Sequence, residues 1–582
     1  MHNNYPGASF TETDLSVVVD QTVGSLAGFV IRAQKGPINE PVLVTNEKDL
    51  KDTFGEPFNG TLGAVCTFNN VADWFSVANF LGYSAGAYVV RAEVDLGDQA
   101  YNAALETDGT TVDASTNNSI SVHNGSDFDA DDFSAGHTFS TDKLGFFAKT
   151  PGFWGNDISV AMYITDATDT AANAGGASSG WYTWQQNNTD FKEFDKYPLW
   201  NGTAGKGEVA IVVYVNDVVT EKFIVSLDPE GKNEYNQNYY IGDYLEAYSD
   251  YVSAYLNNPN GWVAAMTTGF IKTDLANGSL ETGANWDDSD VTAALDYFSN
   301  PDTVAISYLV DGGFNSATVA NYIASIVGAR KDCFGILGAR VADVQGQTAA
   351  TATTNLVSYR KSLSITGTNS TYCGFFGNIK KMYNKYQDKY FWMSVSGDVA
   401  GLMARTDSTL FPWYATAGGT RGVLQNVTSL GFNPSDTNVG ILYSSNINTI
   451  KFDSSSGNIV NGNKTLYPTT SAFRDINVRK LFTYCENNIT RAMKFFLFEF
   501  NDVLTRSNVS AIVNNFMATV KANRGCVDFK VICDETNNTA DIIDNNEMII
   551  DVMIKPSRAI ENISIRFVAT RTDATFDELV AR

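Results

Sequence analysis

Histidine is almost missing from this chain. Only His2, His123 and His137 occur in 582 residues. The commonest general base is therefore scarce, and with it most routes to hydrolytic chemistry. Cysteine is scarce too. Cys66, Cys333, Cys373, Cys485, Cys526 and Cys533 show no C-x-x-C spacing. So few cysteines in so long a chain argue against a disulfide framework and read as small buried apolar residues. No stretch reaches ~18 apolar residues, so no transmembrane helix is expected. The opening, MHNNYPGASF, has neither a basic segment nor an apolar run, which argues against a signal peptide. The expectation is a soluble protein held in a reducing cytosol. Basic residues are also outnumbered, 40 Lys+Arg against 65 Asp+Glu, for a net charge of −25. Nucleic acid and anionic membranes are poor partners for such a chain.

What is present is enough for two to four domains with substantial cores. Apolar residues make up 44% and charged residues 18%, so the chain is globular rather than disordered. The acid is unevenly spread. Residues 471–582 hold 14 Lys+Arg against 15 Asp+Glu, so nearly all the excess lies upstream.

The pattern divides the chain into six parts. Residues 1–20 form an extended arm with a short β-prone run at Leu15, Val17, Val18 and Val19, which lacks a local partner. Residues 21–95 alternate strand and helix. Strands are expected at 27–32, 41–45 and 87–91, with helices at 47–54, stopped by Gly55, and 70–80. Residues 96–145 are rich in Asp, Ser, Thr, Asn and Gly and read as an inserted outer module. Residues 146–290 read as β-rich, with strands near 158–163 and 209–215. From 291 to 470 α/β alternation resumes. Helices are expected at 291–298, 316–329 and near 355–361, with strands at 303–309 and 333–337.

Residues 471–582 read as an α+β domain. Val478, Leu481, Cys485, Ile489, Met493 and Phe496 make one apolar stripe on a first helix. Asn501 or Asp502 caps a second, which turns Val509, Ile512, Val513, Phe516, Met517 and Val520 inward and ends at Gly525. Two strands then alternate, with Met548, Ile550, Val552 and Ile554 on one face of the first. Ile563, Ile565 and Phe567 share a face of the next. The fold class is thus a multidomain α/β and α+β chain with β-rich insertions.

Enzyme motifs occur only as near misses. Gly176-Ala-Ser178-Ser-Gly180 fits a nucleophile elbow, but lies in a Gly/Ala/Ser-rich loop with no histidine downstream. Gly457 to Thr465 approaches a phosphate loop, yet Asn463 separates Gly462 from Lys464. Asp127, Asp129, Asp131 and Asp132 resemble the start of a calcium loop. Asp132 replaces the turn glycine, and Thr138 stands where a bidentate Glu belongs. No catalytic residue, metal or cofactor is expected.

A family pattern runs through the chain in order. Residues 33–45, AQKGPINEPVLVT, and 50–57 resemble its early "KGP…P.LVT" and "F..FG.P" segments. Residues 75–91, 150–157 (TPGFWGND) and 396–407 (SGDVAGLMARTD) resemble three more. Asn446-Ile-Asn448, Lys464-Thr465 and 476–480 (INVRK) follow, and 528–539 (DFKVICDETNNT) lies in the C-terminal run. Together they are similar to the contractile tail sheath proteins of myoviruses. Thr449 departs from the family's proline, and the segment after Leu96 matches nothing in it.

The resemblance implies a sheath-type fold whose C-terminal domain polymerises. It implies a homo-oligomer of stacked rings around an inner tail tube, joined to baseplate and tail terminator proteins. The location would be the virion tail sheath, assembled in the host cytoplasm. Leu15 to Val19 and the strand of Ile563, Ile565 and Phe567 would be donated between subunits. The helix at 505–524, with Arg506, Lys521 and Arg524, would face the tube. A sheath from a bacteriocin or secretion system shares this mechanism. A hydrolase on the α/β core is the reading of a different class.

Overall fold

The computed structural model describes residues 25–62, 66–84, 86–92, 104–107, 112–113, 144–164, 189–191, 194, 207–233, 235–256, 269–278, 288–561 and 564. The arm, the elbow-like string, the acidic run at 127–132, all three histidines, and Ile563, Ile565 and Phe567 lie outside them.

The described residues fall into two compact units, one within 22–411 and 416–476, the other within 412–415 and 477–582. The larger unit is organised by an eight-stranded sheet. Its order is Val42–Val44, Ala87–Arg91, Ala27–Ile31, Tyr308–Val310, Phe334–Gly338, Cys373–Gly377, Ile447–Asp453, Gly457–Asn461. The six central strands run parallel and the two edge strands antiparallel. Parallel strands need both faces covered, and they are. One face packs on Phe298, Ile323, Val327, Leu356 and Tyr359, the other on Trp74, Phe80, Val399 and Leu402.

The local chemistry explains the helices. Asn46 accepts the Asp49 amide at the start of Glu47–Phe54, and Gly55 caps its end. Ser316 and Thr348 cap Ala317–Arg330 and Ala349–Ser362 in the same way. The expected strand at 303–309 shrinks to Tyr308–Val310, because 301–303 turn back and the Val304 amide bonds to Asn300 O.

The β-rich part is two antiparallel sheets sharing a core. One holds Val218–Ser226, Glu208–Val215, Ile158–Ile164 and Gly269–Asp274. The other holds Val252–Leu256, Leu144–Ala148, Ala104–Thr107 and Val112–Asp113. Leu144, Phe146, Ile158, Val160, Val209, Ile211 and Val252 fill the space between them. The strands at 104–107 and 112–113 belong to this second sheet, so the segment 96–145 does not begin as a free-standing insert. Its short apolar runs found partners across the fold, which composition alone could not reveal.

Candidate assembly interface

In the smaller unit, helices Ile476–Met493 and Val503–Ala522 pack by the expected stripes. Val478, Leu481, Cys485, Val509, Val513, Phe516, Met517 and Val520 are buried, while Ile489, Met493, Phe496 and Ile512 are half-buried. The Tyr484 ring lies 5.9 Å from Phe516 and 5.5 Å from Trp413, whose indole N–H donates to Asn523 O at 2.9 Å. Asp502 caps the second helix by accepting the Thr505 amide at 2.7 Å.

The connection between these helices is unusual. Phe495, Leu497, Phe498, Phe500, Val503 and Leu504 are all exposed, Phe498 completely and with φ of 72°. A bulky side chain at positive φ is a costly conformation. The signal was in the sequence: F-F-L-F-E-F leaves helical periodicity and puts apolar residues on every side.

The strands Cys526–Ile532 and Asp551–Pro556 pair with each other alone among the described residues. The expected alternation holds. Met548, Ile550, Val552 and Ile554 are half-buried, and their neighbours at 549, 551, 553 and 555 are exposed. A two-stranded sheet is marginal by itself and presents open edges. Exposed Val527, Ile549 and Met553 line it. A cavity of about 630 Å³ opens between the helix and residues 533–536, lined by Arg506, Ser510, Asn514, Cys533 and Asp534 among others.

The three cations singled out on this helix are not equivalent. Arg506 is turned inward, 6% exposed, and donates to Asn501 O and Oδ1 at 3.2 and 2.9 Å. Its position on the helix is that of a core-facing residue, three before Val509. Lys521 is exposed but pairs with Asp528 at 2.9 Å. Arg524 is exposed and lies beyond the helix, at φ of 67°.

In the larger unit, the recurring motif residues are structural. Helix Ser396–Thr409 is almost wholly buried, and its polar residues each bind a neighbour. Asp398 takes Lys380 Nζ at 2.9 Å, with both side chains at most 1% exposed. Burial pushes the Asp398 carboxyl up despite that lysine. Tyr308 donates its hydroxyl to Asp407. Ser396 bonds to Asp311. A Cβ at Gly397 would lie 2.3 Å from Ser76 O, so the helix sits against Val71–Leu81 at a separation only glycine permits.

A second cluster joins two distant motifs. Arg91 is 1% exposed and donates from one guanidinium nitrogen to Gly36 O at 2.8 Å and Pro151 O at 3.0 Å. The Gly36 amide donates to Thr150 Oγ1 at 3.1 Å, and Lys35 lies over the Trp154 ring. Gly152, at φ of 141°, leaves room for Gln34 O, which a Cβ would approach to 2.3 Å. The early K-G-P and the later P-G-F-W-G-N thus meet in one collar, where the β-rich part leaves the α/β core.

The phosphate-loop resemblance dissolves in three dimensions. Gly457–Asn461 is an edge strand. Lys464 donates to Tyr443 O at 3.1 Å and lies 3.4 Å from the Tyr443 ring centre. Cys333, Cys373, Cys485, Cys526 and Cys533 are buried free thiols, and burial pushes Cys373 up to about 12. Among the described residues no group of three or more His, Cys, Asp or Glu could hold a metal. No described helix is long and apolar enough to cross a membrane.

Residues 469–570 match the phage tail sheath C-terminal domain. The chain is 33% identical over 391 residues to the tail sheath protein of Enterobacteria phage T4, covering 65% of this chain and 58% of that one. It is 26% identical to the tail sheath protein of Salmonella phage ViI, over 99% of this chain and 97% of that one. The sheath tail protein of Listeria innocua shares the fold, with a TM-score of 0.52 at 11% identity over 92% of this chain and 96% of that one.

Proposed function

We propose that this chain, which is similar to tail sheath proteins along most of its length, is the structural subunit of a contractile phage tail sheath. Copies assemble helically around an inner tube and shorten to drive that tube through a host envelope. The observation that carries this reading is where the apolar surface lies. Of the 20 large hydrophobics exposed among the described residues, ten fall between Phe495 and Ile560. Apolar surface concentrated this way marks a contact with another chain.

The open strand pair supports strand exchange as the mode of contact. The arm at Leu15 to Val19, and the segment of Ile563, Ile565 and Phe567, would add strands to a neighbour's sheet. Main-chain hydrogen bonds would hold them and alternate side chains set register. Each buried Val or Ile would contribute roughly 1.5–3 kcal/mol before ordering costs. Heterologous contacts of this kind extend into an open helix instead of closing as a dimer. Lys521 and Arg524 remain candidates for a weak, salt-screened grip on the tube, while Arg506 serves the core. Baseplate and terminator proteins would complete the partners in the virion tail. Electron micrographs of the purified chain test the reading. Striated tubes are expected; discrete globules at assembly concentrations would reject it.

A further inference from the structure

The hairpin of strands Ile379–Asn384 and Lys389–Ser394 has two unlike faces. One is core. Phe391 lies 5.1 Å from Phe75, and the Asn79 amide reaches the Met382 and Met393 sulfurs at 3.5 Å. The other pairs Lys381 with Trp392 and Tyr383 with Tyr390 across the strands. Lys381 Nζ lies 5.4 Å from the Tyr390 ring centre and 5.9 Å from that of Trp392. The two tyrosine rings are 5.3 Å apart, and Tyr383 and Tyr390 are 44% and 58% exposed.

The charge of this hairpin runs against the chain. Residues 379–394 hold four lysines and one acid, Asp388, which accepts the Tyr383 hydroxyl. Lys380 and Lys385 are paired, with Asp398 and Glu47. Lys381 has no carboxylate within ion-pair distance among the described residues, and Lys389 lies across from Asn384 on the other face of the hairpin. Cross-strand aromatic pairs would stabilise the hairpin in any case. They do not require a lysine fixed between two rings with no counter-ion. Such a cation is already oriented and keeps its charge for a group outside the subunit.

We propose that this face docks on an acidic surface of a second copy of the chain. Charge complementarity selects that partner. Copies carrying −25 repel one another unless basic faces meet acidic ones, and nearly all the excess acid lies upstream of residue 471. Exposed Tyr383 and Tyr390 supply the apolar contact that a protein interface uses and a purely ionic encounter does not, while Trp392 packs back on the core. The proposal rests on the assembly reading, since it names a contact between copies.

Sedimentation velocity of the full chain at low and high salt tests it. Self-association is expected to weaken with salt. Lys381→Glu should lower the association constant roughly tenfold at low salt and flatten its salt dependence. Lys381→Arg should associate like the unaltered chain. Lys381 is half-buried, so the melting temperature of each variant is measured beside that of the unaltered chain, and a drop marks a folding defect instead of a lost contact. A photoreactive phenylalanine at position 390 should cross-link to Asp/Glu-bearing peptides of a second copy. Unchanged association in the Glu variant, or cross-links confined to the same subunit, overturns the proposal. Micrographs separate the two readings: salt-dependent association through this face without striated tubes rejects the sheath, not the contact.

Discussion

Asp311 ends the strand Tyr308–Val310 and is completely enclosed. Its Oδ2 accepts the Gly338 amide at 2.6 Å, and its Oδ1 has no partner. Burial raises its carboxyl from 3.8 to about 6. The folded chain therefore holds this proton more tightly than the unfolded chain. The stabilisation is full below about pH 4 and is lost as pH rises through about 6, a change of roughly 2–3 kcal/mol. Asp311→Asn should remove that component. Urea melts between pH 4 and 7 should show the variant gaining on the unaltered chain as pH rises; parallel curves would contradict this. The buried Lys380–Asp398 pair gives a second test. Lys380→Met leaves Asp398 uncompensated and should cost roughly 3–5 kcal/mol, whereas Lys380→Met with Asp398→Leu should recover most of it. If the double variant melts no higher than the single, the pair is worth more than its desolvation. At this scale the sequence was legible where chemistry is local. Asp502 and Gly55 announced their caps. Arg506 was not legible, because a helix of mixed polarity does not declare which side faces the core.

Helices with a clear apolar stripe were readable to within a turn, as in 476–493 and 503–522. The hairpin 379–394 went unread, since Lys380 is buried by a salt bridge that no local pattern encodes. The connection 494–502 was read only as the tail of a stripe, although its run of phenylalanines overruns any single face. Phe495→Ser with Phe500→Ser should leave the melting temperature of the dispersed subunit nearly unchanged, because both rings are exposed, at 72% and 84%. The same variant should fail to form tubes. Light scattering during assembly decides it: normal tube growth would mean that the patch is covered by something other than a lattice neighbour.

For the molecule as a whole, α/β alternation announced the parallel sheet, and short apolar runs announced the β-rich part. Strand order was beyond reach, because partners lie up to hundreds of residues apart. Removing residues 1–20 should leave a folded subunit unable to form tubes, and normal-length tubes from the truncated chain would reject the donated arm. The collar at Arg91 carries a different consequence. The chain leaves the sheet after Ala87–Arg91 and returns through helix Asp288–Asp296, which packs on that strand and on Ala27–Ile31. The ladder joining Ala27–Ile31 to its two neighbours uses no residue from that excursion. The excursion is thus a cassette that can be resized or replaced without breaking a strand pair of that ladder. What must be inherited with it is small: an arginine at the exit, and a threonine, proline and glycine to receive it.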